Sequence, residues 1–189
     1  MEKYQMIFDT PQPVYTASTN GKVLYLTNGK EVEVNISEDE KAKKWQYDAA
    51  WLELGKCGAV TEAALLKAAK EGVLEEIAKY DDSSAVNEFS IGGKKVWIPK
   101  DTRLGLRNNV SDTEAIGGTE VTFWFAGLGS LTVKTEAAKQ MLVALENYAF
   151  ACYNVTAEHK ANVEALTSVE DVLGYDYTKG YPDKLNFTL

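Results

Sequence analysis

Apolar and polar positions along the chain change period several times, and each change predicts an element. Between residues 14 and 34 three runs, Val14–Ala17, Val23–Leu26 and Glu31–Val34, have the short, β-branched and aromatic make-up of half-buried strands. Asn20-Gly21 and Asn28-Gly29 separate them, and Asn-Gly best tolerates the positive φ values of a two-residue hairpin turn. This predicts a three-stranded meander. Pro11 and Pro13 confine the stretch before it to a sheet edge or a linker.

After residue 36 the spacing becomes helical. Ser37-Glu38-Asp39-Glu40 has the form of a capping box, and Trp45, Ala49 and Leu52 follow on one helical face, so a helix is expected up to Gly55 and Gly58. Thr61 caps the next helix, whose apolar stripe runs Leu65, Leu66, Ala69, Val73, Leu74, Ile77 and Tyr80. From Asp81 onward, short strands alternate with helices. Phe89–Ile91 and Val96–Ile98 are separated by Gly92-Gly93-Lys94-Lys95, which reads as a tight hairpin, and Asp101 or Thr102 caps a short helix holding Leu104, Arg107 and Val110. Val121–Phe125 and Leu131–Val133 form a second hairpin. Thr135 then starts a helix reaching about Leu166, roughly 45 Å long at ~1.5 Å per residue. Ser168–Asp171 opens a last helical turn. The chain is thus expected to be an α+β protein in three segments: a β meander at 1–36 for attachment, a helical connector at 37–80, and a hairpin-helix-hairpin-long helix module at 81–189.

Charge and composition narrow the function. Twenty Lys and Arg against 28 Asp and Glu give a net charge of −8, which repels phosphate backbones and anionic lipid, so neither nucleic acid nor membrane is an expected partner. The first nine residues lack the apolar stretch of a secretory signal, and no run approaches the ~18 apolar residues of a membrane span. The expectation is a chain kept in a cytoplasm or carried in a larger assembly.

Candidate chemistry is sparse. Two cysteines, Cys57 and Cys152, are too few for a disulfide framework or a zinc site, and His159 is the one histidine. Cys152 falls on the apolar stripe of the long helix and is expected to be a buried thiol, whereas His159 reads as a solvated helix residue. Gly127–Ser130 and Gly92–Lys95 join strands and do not form phosphate-binding loops. Asp81-Asp82 lacks the spacing of a calcium loop. No catalytic, cofactor-binding or metal-ligating residue is selected, and no cofactor is expected. Arg103 and Arg107, four apart on one helix, suit fixed carboxylates, and a structural ion pair is the plainer expectation. Trp97, Trp124, Tyr25 and Val23 are candidates for packing or for a protein interface.

Residues 80–185 carry a series of ordered blocks: Tyr80-Asp81 with Ser84–Phe89, Trp97–Leu106, Thr122–Phe125, Met141–Tyr148, Cys152–Thr156, His159 and Tyr175–Pro182. In these the chain resembles a domain of unknown function found in phage and prophage proteins of gut anaerobes. Its layout is similar to that of tail-fibre assembly proteins. The resemblance implies a non-enzymatic tail or tail-fibre component, or an assembly factor, that contacts other phage structural proteins, with its own copies as a further candidate partner, in the virion or in the host cytoplasm during assembly. It implies that Trp97 and Trp124 sit on facing hairpins with Arg103 bridging them to the long helix. Residues 1–36 are then expected to form the main partner interface. Two competing readings are a glycan- or small-ligand-binding module built on exposed aromatics, and a carboxylate-based glycoside hydrolase.

Overall fold

The computed structural model describes residues 3–17, 20–37, 40–55 and 59–188. Cys57, Gly58 and the Glu38-Asp39 pair of the expected capping box lie outside the described residues. Among those described, the order is β1 (Lys3–Phe8), β2 (Tyr15–Ala17), β3 (Lys22–Asn35), β4 (Lys41–Glu53), α1 (Glu62–Asp81), β5 (Phe89–Ile91), β6 (Lys94–Val96), α2 (Lys100–Ala115), β7 (Glu120–Phe125), β8 (Gly129–Lys134), α3 (Thr135–Ala165), α4 (Val169–Gly174) and β9 (Asn186–Phe187). Largely antiparallel sheets and separate helices make this an α+β protein. Its contacts define two compact units, Met1–Ala78 with His159–Tyr177, and Lys79–Glu158 with Thr178–Leu189. The boundaries fall inside α1 and α3, so residues 159–177 group with the N-terminal strands.

The first unit is built on an antiparallel sheet of order β1-β4-β3-β2. Two expectations fail here. Residues 41–53 form β4, not a helix, and Asn28-Gly29 lies inside β3, not at a turn. The register between β3 and β4 shifts between Thr27 and Lys30, so the pair makes a bulge. Asn28 takes the left-handed conformation (φ 54), and its amide donates to Asp48 at 2.8 Å. Gly29 lies so close to the Tyr47 ring that any Cβ there would collide with it. The chain reverses instead after β3, where Ile36 N donates to Glu40 O at 2.8 Å, at the site of the expected capping box.

Val23, Tyr25 and Leu52 lie on one face of this sheet and share a core with Leu65, Ala69, Val73 and Ile77 of α1, Val163 of α3, and Val169 and Val172 of α4. Leu26, Tyr47 and Ala49 lie on the other face, packed with Tyr4, Met6, Phe8, Leu24 and Trp45. Helix caps follow the sequence here. Thr61 Oγ1 accepts from Ala64 N, and Ser168 Oγ accepts from Asp171 N.

In the second unit β5 and β6 form a hairpin as expected, but β6 is Lys94–Val96 and not Val96–Ile98: the turn needs only Gly92 and Gly93, both at positive φ (55 and 78), so Lys94 and Lys95 pair with Ile91 and Ser90. β9 adds in parallel to β5, and β7 pairs with β8. α2 begins at Lys100 behind Pro99 without a side-chain cap, so neither Asp101 nor Thr102 caps it. α3 runs to Ala165, within a residue of expectation. Its Ala138, Met141, Leu142 and Leu145 pack on Val121, Phe123 and Phe125 of β7 and on Phe89 and Ile91 of β5. Trp124 alternates outward from that strand and is 78% exposed, so the long helix does not pack on it.

Candidate functional site

Of the blocks quoted from residues 80–185, His159 and Tyr175–Tyr177 belong to the first unit and the others to the second, where several of them line a cleft of about 420 Å³. Asp81, Asp82, Asn87, Trp97, Lys100 and Tyr153 are among the residues that line it. The wall from α3 is fixed by helical spacing: Tyr148 and Cys152, four residues apart, share a buried face and pack against Val86. The Tyr148 hydroxyl donates to Val86 O at 2.8 Å. Burial pushes both this hydroxyl and the Cys152 thiol up from their ordinary values. The thiol therefore stays protonated at neutral pH and is no ready nucleophile, in line with the buried thiol expected from its place on the stripe.

One turn further along α3, the Thr156 hydroxyl donates to Asp81 Oδ1 at 2.7 Å and lies 2.8 Å from Tyr181 Oη. Tyr181 in turn lies against Tyr80, with ring centroids 5.5 Å apart. Lys184 reaches Ser84 O at 3.0 Å, beside the Tyr148 ring. These bonds tie the end of α1, the loop after it and the C-terminal segment to α3.

Arg103 is 3% exposed. Its Nε donates to Glu146 Oε1 at 2.6 Å, its Nη1 donates to Ile98 O at 2.7 Å, and its guanidinium carbon lies 5.2 Å from the Trp97 ring centroid. The fork geometry is used within the protein, as a structural ion pair that joins α2 to α3 and rests on Trp97. Trp97 thus has the packing role expected of it and Trp124 does not. Arg107 points to solvent beside a groove of about 270 Å³ between α2 and α3, whose lining includes Lys139 and Val143.

The remaining candidates lie in the first unit. Val23 and Tyr25 are buried core residues, and the Tyr25 hydroxyl donates to Glu170 Oε1 at 2.8 Å. Neither is open to a partner. His159 is buried and not solvated as expected: its Nδ1 lies 2.8 Å from Tyr175 Oη, which also accepts from Asn162. The partners that sequence reasoning missed, Glu146 for Arg103 and Asp81 for Thr156, stand 43 and 75 residues away, and no local spacing points to them.

Among the described residues no group of three or more His, Cys, Asp or Glu side chains is placed to hold a metal ion. Likewise no helix among them is long and apolar enough to cross a membrane. Comparison of the chain with protein-family models, curated proteins and solved structures finds no match.

Proposed function

We propose that the chain is a bacteriophage tail or tail-fibre-associated protein that acts by protein–protein contact, as a virion component or a fibre assembly factor, without catalysis or a cofactor. The observation that carries this reading is how the phage-like blocks use their side chains. Arg103, Glu146, Tyr148, Thr156 and Tyr181 are engaged within the second unit. Trp124 of the same blocks is left facing solvent. The blocks thus account for a stable platform, and Trp124 is the most exposed of their large apolar side chains, ahead of Tyr153, Val143 and Leu104, and so the first available to a partner. Large aromatics of this kind are enriched at the energetic centres of protein interfaces. The net charge of −8 favours a protein partner over nucleic acid or anionic lipid.

Mass spectrometry of purified virions and of tail intermediates from infected cells tests the reading directly. The protein is expected in one or both, and its absence from both overturns the proposal. Trp124→Ala is expected to lower co-purification with tail components at least tenfold while leaving thermal unfolding unchanged.

One observation favours a second reading, a glycan- or small-ligand-binding module. The cleft presents the rings of Trp97 and Tyr153 beside Asp82 and Asn87, a combination of stacking surface and hydrogen-bonding groups suited to a sugar. Its acids Asp81 and Asp82 are chain neighbours at the end of α1, whereas glycoside hydrolysis calls for two carboxylates across the bond to be cut. Binding on a glycan array that Tyr153→Ala abolishes would establish this reading.

A further inference from the structure

The starts of α1 and α4 come together in the first unit beside β2. Between them lies a cleft of about 660 Å³, a volume within the range of small-molecule sites. All of its lining residues belong to that one unit. β2 spans three residues at the end of the sheet and pairs Tyr15 with Tyr25 of β3, so among the described residues no strand covers its outer edge. Val14 and Tyr15 are accordingly 52% and 41% exposed. With Leu65, Leu66 and Val169 they form the apolar part of the wall.

The charged part of the wall is acidic. Glu62 stands in the first turn of α1 and Glu170 in the first turn of α4. The Tyr25 hydroxyl donates to Glu170 Oε1 at 2.8 Å, which holds this carboxylate at the wall and leaves its other oxygen without a partner among the described residues. Burial pushes the same hydroxyl up from its ordinary value, followed by the bond and charge of Glu170 and then by the charge of Glu62, so both carboxylates lie near it. Glu62 makes no hydrogen bond or ion pair among the described residues, and no described Lys or Arg lines the cleft. The lysines of the adjoining helix turns are used elsewhere: Lys67 pairs with Glu71 at 3.7 Å and Lys70 donates to Glu164 O.

We propose that this cleft binds a small arylalkylamine, with the ammonium between Glu62 and Glu170 and the ring against Tyr15. The class follows from the lining. Carboxylates offer acceptors only, and a primary ammonium brings three donors together with the opposite charge. A quaternary ammonium lacks those donors, and a phosphate or carboxylate would meet two like charges. The ring of the ligand has the open Tyr15 ring to stack on, with Val14 and Leu66 as further apolar wall. Tyr25 acts as a positioning residue through its bond to Glu170. The site uses neither Trp124 nor any other residue of the second unit, so its failure leaves the tail reading standing.

Titration of the isotope-labelled full chain with phenethylamine at pH 7, followed by NMR chemical shifts, tests the proposal. Shifts are expected at residues 14–15, 62–66 and 167–170, with a dissociation constant on the order of 1 mM for a ligand of so few atoms. Phenethyl alcohol, which keeps the ring and loses the charge, should bind at least tenfold more weakly. Glu62→Gln combined with Glu170→Gln should weaken amine binding at least tenfold. Both positions are exposed, and Glu170→Gln still offers Tyr25 an acceptor, so the spectrum of the unliganded variant should remain that of the folded chain. Tyr15→Ala, at the exposed edge, should weaken binding several-fold. Butylamine, which matches the end of a lysine side chain, should also bind several-fold more weakly for want of a ring. Absence of localised shifts at about ten times the expected dissociation constant overturns the site. Equal binding of the alcohol, or full binding by the double variant, overturns the role of the two carboxylates. Butylamine binding as tightly as phenethylamine overturns the arylalkylamine and gives the cleft to a lysine of a protein partner.

Discussion

Two residues show how closely local chemistry is matched to its surroundings. Arg103 is buried with its charge balanced by Glu146 and a further donor spent on Ile98 O. Arg103→Met keeps most of the volume but strands the Glu146 carboxylate and the carbonyl, and breaking a buried pair in this way costs about 3 kcal/mol. Glu146→Gln keeps an acceptor for Nε and sits at a partly open position, so it should cost about 1 kcal/mol. Urea unfolding of both variants checks the order, and equal costs would mean that the guanidinium is not held as described. Gly29 is the second case. Added bulk must displace the Tyr47 ring, which is buried and anchored through its hydroxyl to Gln12 N at 3.0 Å. Gly29→Ala should therefore cost about 1–3 kcal/mol by the same measurement, the usual range for overpacking.

Elements were legible where the periodic signal was long or the turn chemistry specific. α1 and α3 carry apolar stripes over several turns, and Gly92-Gly93 can serve the β5–β6 turn because both glycines accept positive φ. β4 was misread for a physical reason. Its central residues are buried on both faces of the sheet, Tyr47 and Ala49 on one and Ala50 and Leu52 on the other, which erases the period-two alternation. Trp45, Ala49 and Leu52 then fall by coincidence at helical offsets. Asn28-Gly29 misled similarly, since the residues that suit a hairpin turn also suit a bulge. The cleft was not legible at all as a site, because its bonds join α3 to segments far away in sequence. The helix packing that was legible has a direct test: Leu145 is fully buried among the β7 and β5 side chains. Leu145→Asp buries an unpaired charge or forces the helix off the sheet, and should cost on the order of 4 kcal/mol or more. Unchanged thermal stability would refute the contact between α3 and β7.

On the scale of the whole molecule, both units place an acidic hydrogen where ionisation is opposed. Tyr25 in the first unit is pushed up from 10.0 by burial and then by its bond to the Glu170 carboxylate. In the second unit, burial pushes Tyr148 up from 10.0 and Cys152 up from 9.0. In the unfolded chain each group returns to its ordinary value, so the unfolded state releases these protons first as the pH rises. Their contribution to stability is complete below about pH 9 and declines above it, first through Cys152 and then through the two tyrosines. The melting temperature should hold between pH 7 and 8.5 and fall above pH 9. General repulsion from the growing negative charge acts in the same direction, so the loss alone does not identify the groups. Their variants do. Cys152→Ala should flatten the first part of the decline near pH 9–10, Tyr25→Phe should flatten the part above pH 10, and both should lower stability at pH 7. Because Tyr25 and Cys152 belong to different units and share no partner, the two changes in slope should add in the double variant. A wild-type slope retained in both single variants would show that the alkaline loss comes from net charge and not from these buried acids.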